Sequence, residues 1–509
     1  MSLSFILPNQ SNIFSFKRNI FTEIFSSKNV EKIARESNAL IRNRKLKINK
    51  YFVSALSVLS NSPNSKIFTM QSIYDMYTSL ASKENGEILT KKCVHKHLDN
   101  EEMVTCTGRM LEEVLKVISS ITKQKFKKIV PKEVKLLLNQ LKVNDIILID
   151  GTEFNVQPSL SGDDDFKGSS KGRPHLDGEP PRPSVKLHVA FSVSKQTFEY
   201  IDITSGCESE RAHVSTDKFE NCLIIADRGY VSKDLEKKIS ESNNYFIIKG
   251  KSNTTGTIDA VYNTTSKLNH LTGKKLNEIK VDEAMDFDIT SKYYCGSKKD
   301  LKNTSSIENN KTLSKDYKSS SCSSCFGTHK CRVIRGPHLT SKNKKIVVTL
   351  RTNLPRNNVN AEQILLLYRV RWAIEIFNKV CKSSNGLCSI NSGKKNIIYE
   401  FIMLSLISTL IKTFFGYLTQ IDYDIGLISI QKLNKRLANT NLLNFYKALI
   451  FYGKSKTYKI VKELLGIIAL NCQREKPSTR DKEQLKDFPT LVYTINNFWN
   501  DPKNFFAKA

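Results

Sequence analysis

The chain has 509 residues, with 79 Lys and Arg against 50 Asp and Glu, a formal net charge of +29 at pH 7. At ~150 residues per domain this length suggests about three units and allows a full buried core. Hydrophobic residues at 39% and charged residues at 25% argue against both a membrane-embedded and a disordered chain. So large a positive excess points to a polyanionic partner, because each phosphate neutralised by Lys or Arg releases counterions. Nucleic acid leads on this ground, with a membrane surface or a ribosome still open. Part of the charge is clustered, as in Arg42, Arg44, Lys45, Lys47 and Lys50.

The opening MSLSFILPNQ has no basic stretch ahead of its short apolar run, so it does not read as a signal peptide, and an intracellular protein is expected. Residues 1–135 read as a helical region suited to DNA binding. Helical spacing shows at Ile73, Met76, Tyr77 and Leu80, and again at Met110, Leu111, Val114, Leu115, Val117 and Ile118. Pro131 ends or restarts that region. DIILID (145–150) is a short apolar run closing on an acid and predicts a buried strand. After a loop rich in Gly, Pro, Ser and Asp, VKLHVAFSV and TFEYIDIT predict a hairpin across Ser194, Lys195 and Gln196. CLIIAD (222–227) predicts a second buried strand ending in an acid, and YFIIKG (245–250) a further strand.

The stretch 251–344 is polar and predicts an inserted subdomain; KIVVTLRTNL then returns to strand character. A long helix is predicted from near Val359, and mainly helix beyond Ser383. The apolar run Phe401 to Leu418 contains Lys412 and several Ser and Thr, which favours a buried helix over a membrane span. The 11 cysteines are irregularly spaced and predict no disulfide framework. Cys322, Cys325, His329 and Cys331 form a single knuckle, with Cys295 the nearest further ligand, whereas zinc sites usually pair two; free thiols are expected.

Asp150 and Asp227 each end a predicted strand, where paired carboxylates can hold divalent metal through hard oxygen ligands. An Asp that only starts a turn gives the same local pattern. Tyr368, Arg371, Glu375 and Lys382 sharpen the choice. At ~100° per residue they fall at roughly 0°, −60°, −20° and −40° on a continuous helix, a polar stripe ~21 Å long. Leu365, Leu366, Ala373, Ile374, Ile376, Phe377, Val380 and Cys381 cover most of the remaining circumference, so the stripe should face something polar.

The spacing Tyr368-x2-Arg371-x3-Glu375-x6-Lys382 resembles the Y-x2-R-x3-E-x6-K signature of DDE transposases of the insertion-sequence-4 family. LIDGT around Asp150, KLH at 186–188, IIADRGY around Asp227 and LRTNL before the helix are similar to that family as well. The resemblance implies an α/β fold with an RNase H-like catalytic core (136–250 and 345–420), the insertion 251–344, and helical N-terminal (1–135) and C-terminal (421–509) regions. It implies catalysis by Asp150, Asp227 and Glu375, which would hold two Mg²⁺ ions, with Mn²⁺ as a substitute. Tyr368, Arg371 and Lys382 would bind DNA phosphates. It further implies cut-and-paste transposition on double-stranded DNA at terminal inverted repeats, a homodimeric synaptic complex, no membrane partner, and a bacterial cytosolic, nucleoid-associated location.

Arg228, Tyr230 and His188 are further candidate DNA contacts, His188 sharing one strand face with Lys186. Asp163, Asp164 and Asp165 read as a solvated acidic run. Two alternatives stay open: a DNA-binding relic or repressor that has lost catalysis, and another RNase H-like nuclease.

Overall fold

The computed structural model describes residues 23–40, 46–60, 70–81, 90–124, 132–169, 182–251, 254, 256–262, 270–294, 326–339, 345–384, 387, 390–423, 425, 428–438, 442–451 and 454–473. Its strands are β1 (Asp145–Asn155), β2 (Ser184–Ser192), β3 (Thr197–Ser205), β4 (Cys222–Ala226), β5 (Tyr245–Lys249), β6 (Thr257–Val261), β7 (Met285–Tyr294), β8 (Phe326–Leu339) and β9 (Lys345–Thr352). They form one mixed sheet in the order β3-β2-β1-β4-β5-β9-β8-β7-β6. The continuous apolar runs IILI and CLIIA are buried throughout, as expected of parallel strands covered on both faces. Helices and strands together make the protein a mixed α/β fold.

The chain divides into two compact units, with β1 crossing the division between Ile149 and Asp150. The first comprises the described residues of 1–135, 150–209 and 372–473. It contains α1 (Ser27–Glu36), α2 (Ile48–Ser60), α3 (Met70–Ala81), α4 (Lys91–Leu98), α5 (Glu101–Gln124), the β2–β3 hairpin, α9 (Trp372–Ser384), α10 (Lys395–Tyr423), α11 (Ile430–Ala438), α12 (Leu442–Phe451) and α13 (Lys454–Asn471).

Helix α10 is the core of this unit, buried on nearly every side, with α2, α5, α11 and α13 packed on it. Among the described residues it is the helix long and apolar enough to cross a bilayer, and its most apolar stretch is enclosed by protein. Its polar residues are satisfied locally: Thr409, Thr413 and Thr419 each donate to the carbonyl four residues earlier. Tyr417 donates to the carbonyl of Gln196, which takes a positive φ of 53° in the hairpin turn. Phe198 of β3 meets Phe377 of α9 with ring centroids 4.3 Å apart, which fixes α9 on the hairpin.

The second unit comprises the described residues of 136–149 and 210–371. Here the first half of β1, β4 and β5 run parallel, and β9 joins β5 antiparallel. The polar stretch expected as an inserted subdomain contributes β6, β7 and β8, which continue the ladder antiparallel from β9. Met285, Phe287 and Ile289 of β7 alternate into the core while its polar residues occupy the other face. Asp286 of β7 takes a fork of hydrogen bonds from Arg332 and another from Arg356. Helix α6 (Lys132–Leu141) precedes β1 in the chain, α7 (Lys233–Glu241) packs on β5, and α8 (Ala361–Leu367) on β8. Among the described residues, Cys93, Cys106, Cys207, Cys222, Cys331, Cys381 and Cys472 are free thiols.

Candidate active site

In the second unit, β1 and β4 pair from Asp145↔Cys222 to Ile149↔Ala226. The next residue in each chain direction is an aspartate, Asp150 after Ile149 and Asp227 after Ala226. Beyond Asp227 the chain enters a 3₁₀ turn, Arg228–Tyr230. The Asp227 carboxylate accepts a hydrogen bond of 3.1 Å from the Tyr368 hydroxyl. Burial alone would raise the pKa of Asp227. The Arg371 guanidinium, the backbone N–H of Arg228, Lys249 and the Tyr368 hydroxyl outweigh it and hold the carboxyl below its ordinary value. Asp227 is therefore ionised at neutral pH. Burial, with Asp227 beside it, pushes the Tyr368 phenol upward against the opposing pull of Arg371, so Tyr368 remains a donor.

Tyr368 and Arg371 reach this position by a route the continuous-helix expectation does not describe. Helix α8 starts with a capping box between Asn360 and Gln363, but the chain tightens into a 3₁₀ turn over Tyr368–Arg371 before α9 begins. Residues i and i+3 eclipse in 3₁₀ geometry. Tyr368 and Arg371 thus share a side, and the guanidinium carbon lies 5.5 Å from the phenol ring centroid. The stripe angles of a continuous α-helix hold for Glu375 and Lys382 on α9 and fail across the 3₁₀ turn.

In the first unit, α9 carries Glu375, half-buried on its first turn. One turn on, the Asn378 amide Nδ2 donates to Asp150 Oδ2 at 2.8 Å. One turn further, Lys382 Nζ donates to the Glu153 carbonyl at 2.7 Å. The helix therefore grips β1 at two points, both from the face that carries Glu375. The Glu153 carboxylate is itself held by the hydroxyls of Ser169 and Ser184. Sequence reasoning missed Asn378. Its signal was available: an amide three residues after the glutamate, among the apolar positions Ile374, Phe377, Val380 and Cys381.

The other expected contacts separate. Arg228 is exposed. Tyr230 and His188 are each only 1% exposed, so as they stand neither side chain is presented to DNA. The 3₁₀ turn sends Arg228 outward and Tyr230 inward, while His188 Nε2 is 2.8 Å from Thr204 Oγ1 across the hairpin. Lys186 donates to the Glu208 carbonyl. Of the acidic run, Asp163 caps its own turn through the Asp165 N–H, and Asp165 pairs with Lys395.

A second group of ligand-type side chains lies in the second unit. Glu236 of α7 with His329 and Cys331 of β8 have ligand atoms within 4.8 Å of one another and could hold a metal ion. Both Glu236 oxygens, however, already accept from Arg351, at 2.6 and 2.7 Å, and His329 Nε2 is 2.7 Å from Oε2. A cation here would sit against a fixed guanidinium, which disfavours it. Burial pushes the Cys331 thiol up to about 12, so it is an inert sulfur rather than a thiolate. Cys295, Cys322 and Cys325 lie outside the described residues.

Asp150 and Asp227 thus each follow the paired stretch of a parallel strand, and Glu375 stands on a helix hydrogen-bonded to β1. The family described as Transposase DDE domain matches residues 142–411, more than half of the chain, and the chain belongs to that family. The matched span includes Asp150, Asp227, Tyr368, Arg371, Glu375 and Lys382. The chain is also 27% identical over 308 residues to the transposase for insertion sequence element IS1151 of Clostridium perfringens. That alignment covers 56% of this chain and 61% of the relative, so the chain spans a little under two thirds of the relative's length.

Proposed function

We propose that the chain is the DNA transposase of an insertion sequence, with Asp150, Asp227 and Glu375 as its catalytic acids. The observation that carries this reading is the β1–β4 register, which ends one residue before an aspartate on both strands. The donor set is chemically suited to Mg²⁺ or Mn²⁺: three carboxylates, hard oxygen ligands, of which Asp227 is kept ionised. Asn378 Oδ1, buried and without a hydrogen-bond partner, is a spare acceptor suited to the water of a hydrated ion.

When bound, two such ions would activate the attacking oxygen and stabilise the leaving one. The protein's own residues do the rest. Asp150, Asp227 and Glu375 supply the ligand oxygens. Arg371, itself only 7% exposed, and Tyr368 hold Asp227, and the Arg371 charge acts on a phosphate through the field at that carboxylate rather than from the surface. Arg228, exposed beside Asp227, contacts the DNA backbone, and Lys382 has donor capacity beyond its bond to Glu153.

The hairpin β2–β3 next to β1, with β1, β4 and β5 parallel, supports an RNase H-like core. The Tyr-Arg-Glu-Lys spacing supports the insertion-sequence-4 type, and with it cut-and-paste transposition at terminal inverted repeats by a homodimer in the bacterial cytosol. The helical N-terminal region and the net charge of +29 fit a double-stranded DNA partner.

The test is Mg²⁺-dependent cleavage of a DNA fragment carrying the native flanks of the gene, wild type beside Glu375→Gln. Cutting at defined ends by wild type only, with binding retained by both, is the expected result. Undiminished cutting by the variant contradicts the site, and binding without cutting by either protein indicates an inactive relic.

A further inference from the structure

We propose that Asn378 is a positioning residue for Asp150, fixing the orientation of its carboxylate from the helix that carries Glu375; this rests on the transposase reading above. Asn378 is 5% exposed, and its Nδ2 donates to Asp150 Oδ2 at 2.8 Å. Its Oδ1 is buried with no hydrogen-bond partner. A buried amide left half-satisfied costs free energy that an aliphatic side chain would avoid. On α9 it stands between Ile374 and Cys381, buried and apolar, on one side and Glu375 and Lys382 on the other, at the border of the core-facing side. The site therefore retains an amide where packing alone does not ask for one.

The chemistry of the contact explains why. An aspartate just past a strand pairing can rotate about both side-chain torsions, and a donor on one oxygen removes that freedom. A Lys or Arg would do so too, but would bring a positive charge that competes with a cation. An amide orients the carboxylate and stays neutral. Carboxylate ligands of metal ions are typically held by such outer hydrogen bonds, and losing one costs ~10–100-fold in metal affinity or activity. Lys382, donating to the Glu153 carbonyl one turn along α9, fixes the backbone of the same strand. Together they tie Asp150 to the helix bearing Glu375, so the two acids move as one body.

The experiment measures Mn²⁺ binding to the full-length protein without DNA, by electron paramagnetic resonance titration, for wild type, Asn378→Ala and Asn378→Asp. Glu375→Gln serves as the control with a ligand removed. Wild type should bind Mn²⁺, and Asn378→Ala should bind it ~10–100-fold more weakly. Its cleavage should be partly rescued at high metal concentration, and its DNA affinity unchanged. Asn378→Asp has the same shape but lacks the neutral donor, so if Asn378→Ala misfolds, altered Mn²⁺ affinity in the folded Asp variant carries the result. Wild-type Mn²⁺ affinity in both variants overturns the role of Asn378 and leaves the transposase reading standing. Absence of Mn²⁺ binding and of cleavage in wild type overturns both. A purely structural role would lower the melting temperature equally with and without Mn²⁺; a positioning role removes the increment that Mn²⁺ adds.

Discussion

At the end of β4, Asp227 is an acid withdrawn from water whose pKa lies below the ordinary carboxylate value; in the helical core, Glu400 is a fully buried acid whose pKa lies well above it. Burial pushes both upward, so the difference is made by partners. Asp227 has the Arg371 guanidinium, the Lys249 ammonium, a backbone N–H and a phenol. Glu400 accepts from Tyr51 at 2.8 Å, and its Oε1 has no hydrogen-bond partner. Partners favour the charged form of one acid, and burial favours the neutral form of the other. Glu236 belongs with Asp227: it is fully buried, yet Arg351 and His329 keep its pKa low. Partners thus favour the charged form at both acids, at Glu236 in a structural fork and at Asp227 in the proposed catalytic site. In the helical core, neutrality is the cheaper solution. Lys412 follows the same rule from the opposite side, since burial lowers its pKa to about 7.

The contrast can be broken most forcefully at Arg351. Arg351→Ala should leave the Glu236 charge buried with His329 as its remaining side-chain hydrogen-bond partner and cost ~3–5 kcal/mol, the range for an ion pair cut in half. Urea unfolding measures this, and a loss within error would mean that Glu236 is not ionised.

Glu400→Gln probes the neutral side. Because the folded pKa of Glu400 is raised, its contribution to stability is complete below its ordinary value near 4.5 and declines as pH rises towards the folded value. Wild type should therefore lose stability relative to Glu400→Gln by about 1 kcal/mol per pH unit across that window. Unfolding curves at pH 5, 6, 7 and 8 would show it, and parallel pH dependences would contradict it.

A smaller effect is expected at Arg371. Arg371→Ala should weaken DNA-end binding by ~1–3 kcal/mol, the range for a lost charge-assisted hydrogen bond. It should also let the Asp227 pKa drift up, since its leading counter-charge is gone. Fluorescence anisotropy with labelled ends gives the first, and a rise in the acid limb of the cleavage pH profile gives the second. Unchanged values of both would separate Arg371 from the site.

Much of this was legible in the residues. IILI and CLIIA read as buried strands because short continuous apolar runs mark a sheet covered on both faces, while their parallel pairing is a finding of the structure. The hairpin was legible from two alternating runs and the short turn between them. The 3₁₀ turn at Tyr368–Arg371 was not, because apolar spacing near 3.6 runs through it without a break while the hydrogen bonding tightens. Strand alternation put Lys186 and His188 on one face but could not say that this face is covered. The polar composition of 251–344 hid the alternation of Met285, Phe287 and Ile289, which places β7 in the sheet. Asn378 escaped because its meaning lies in a contact with Asp150, more than 200 residues earlier in the chain.

The most direct test of the central claim is to compare Asp150→Asn, Asp227→Asn and Glu375→Gln with wild type, for binding and for Mg²⁺-dependent cleavage of DNA bearing the gene's own flanks. Each amide replaces an acid with little change in shape, so all three should bind the DNA as wild type does and none should cut it. Cleavage near the wild-type rate by any one of the three would remove that acid from the site.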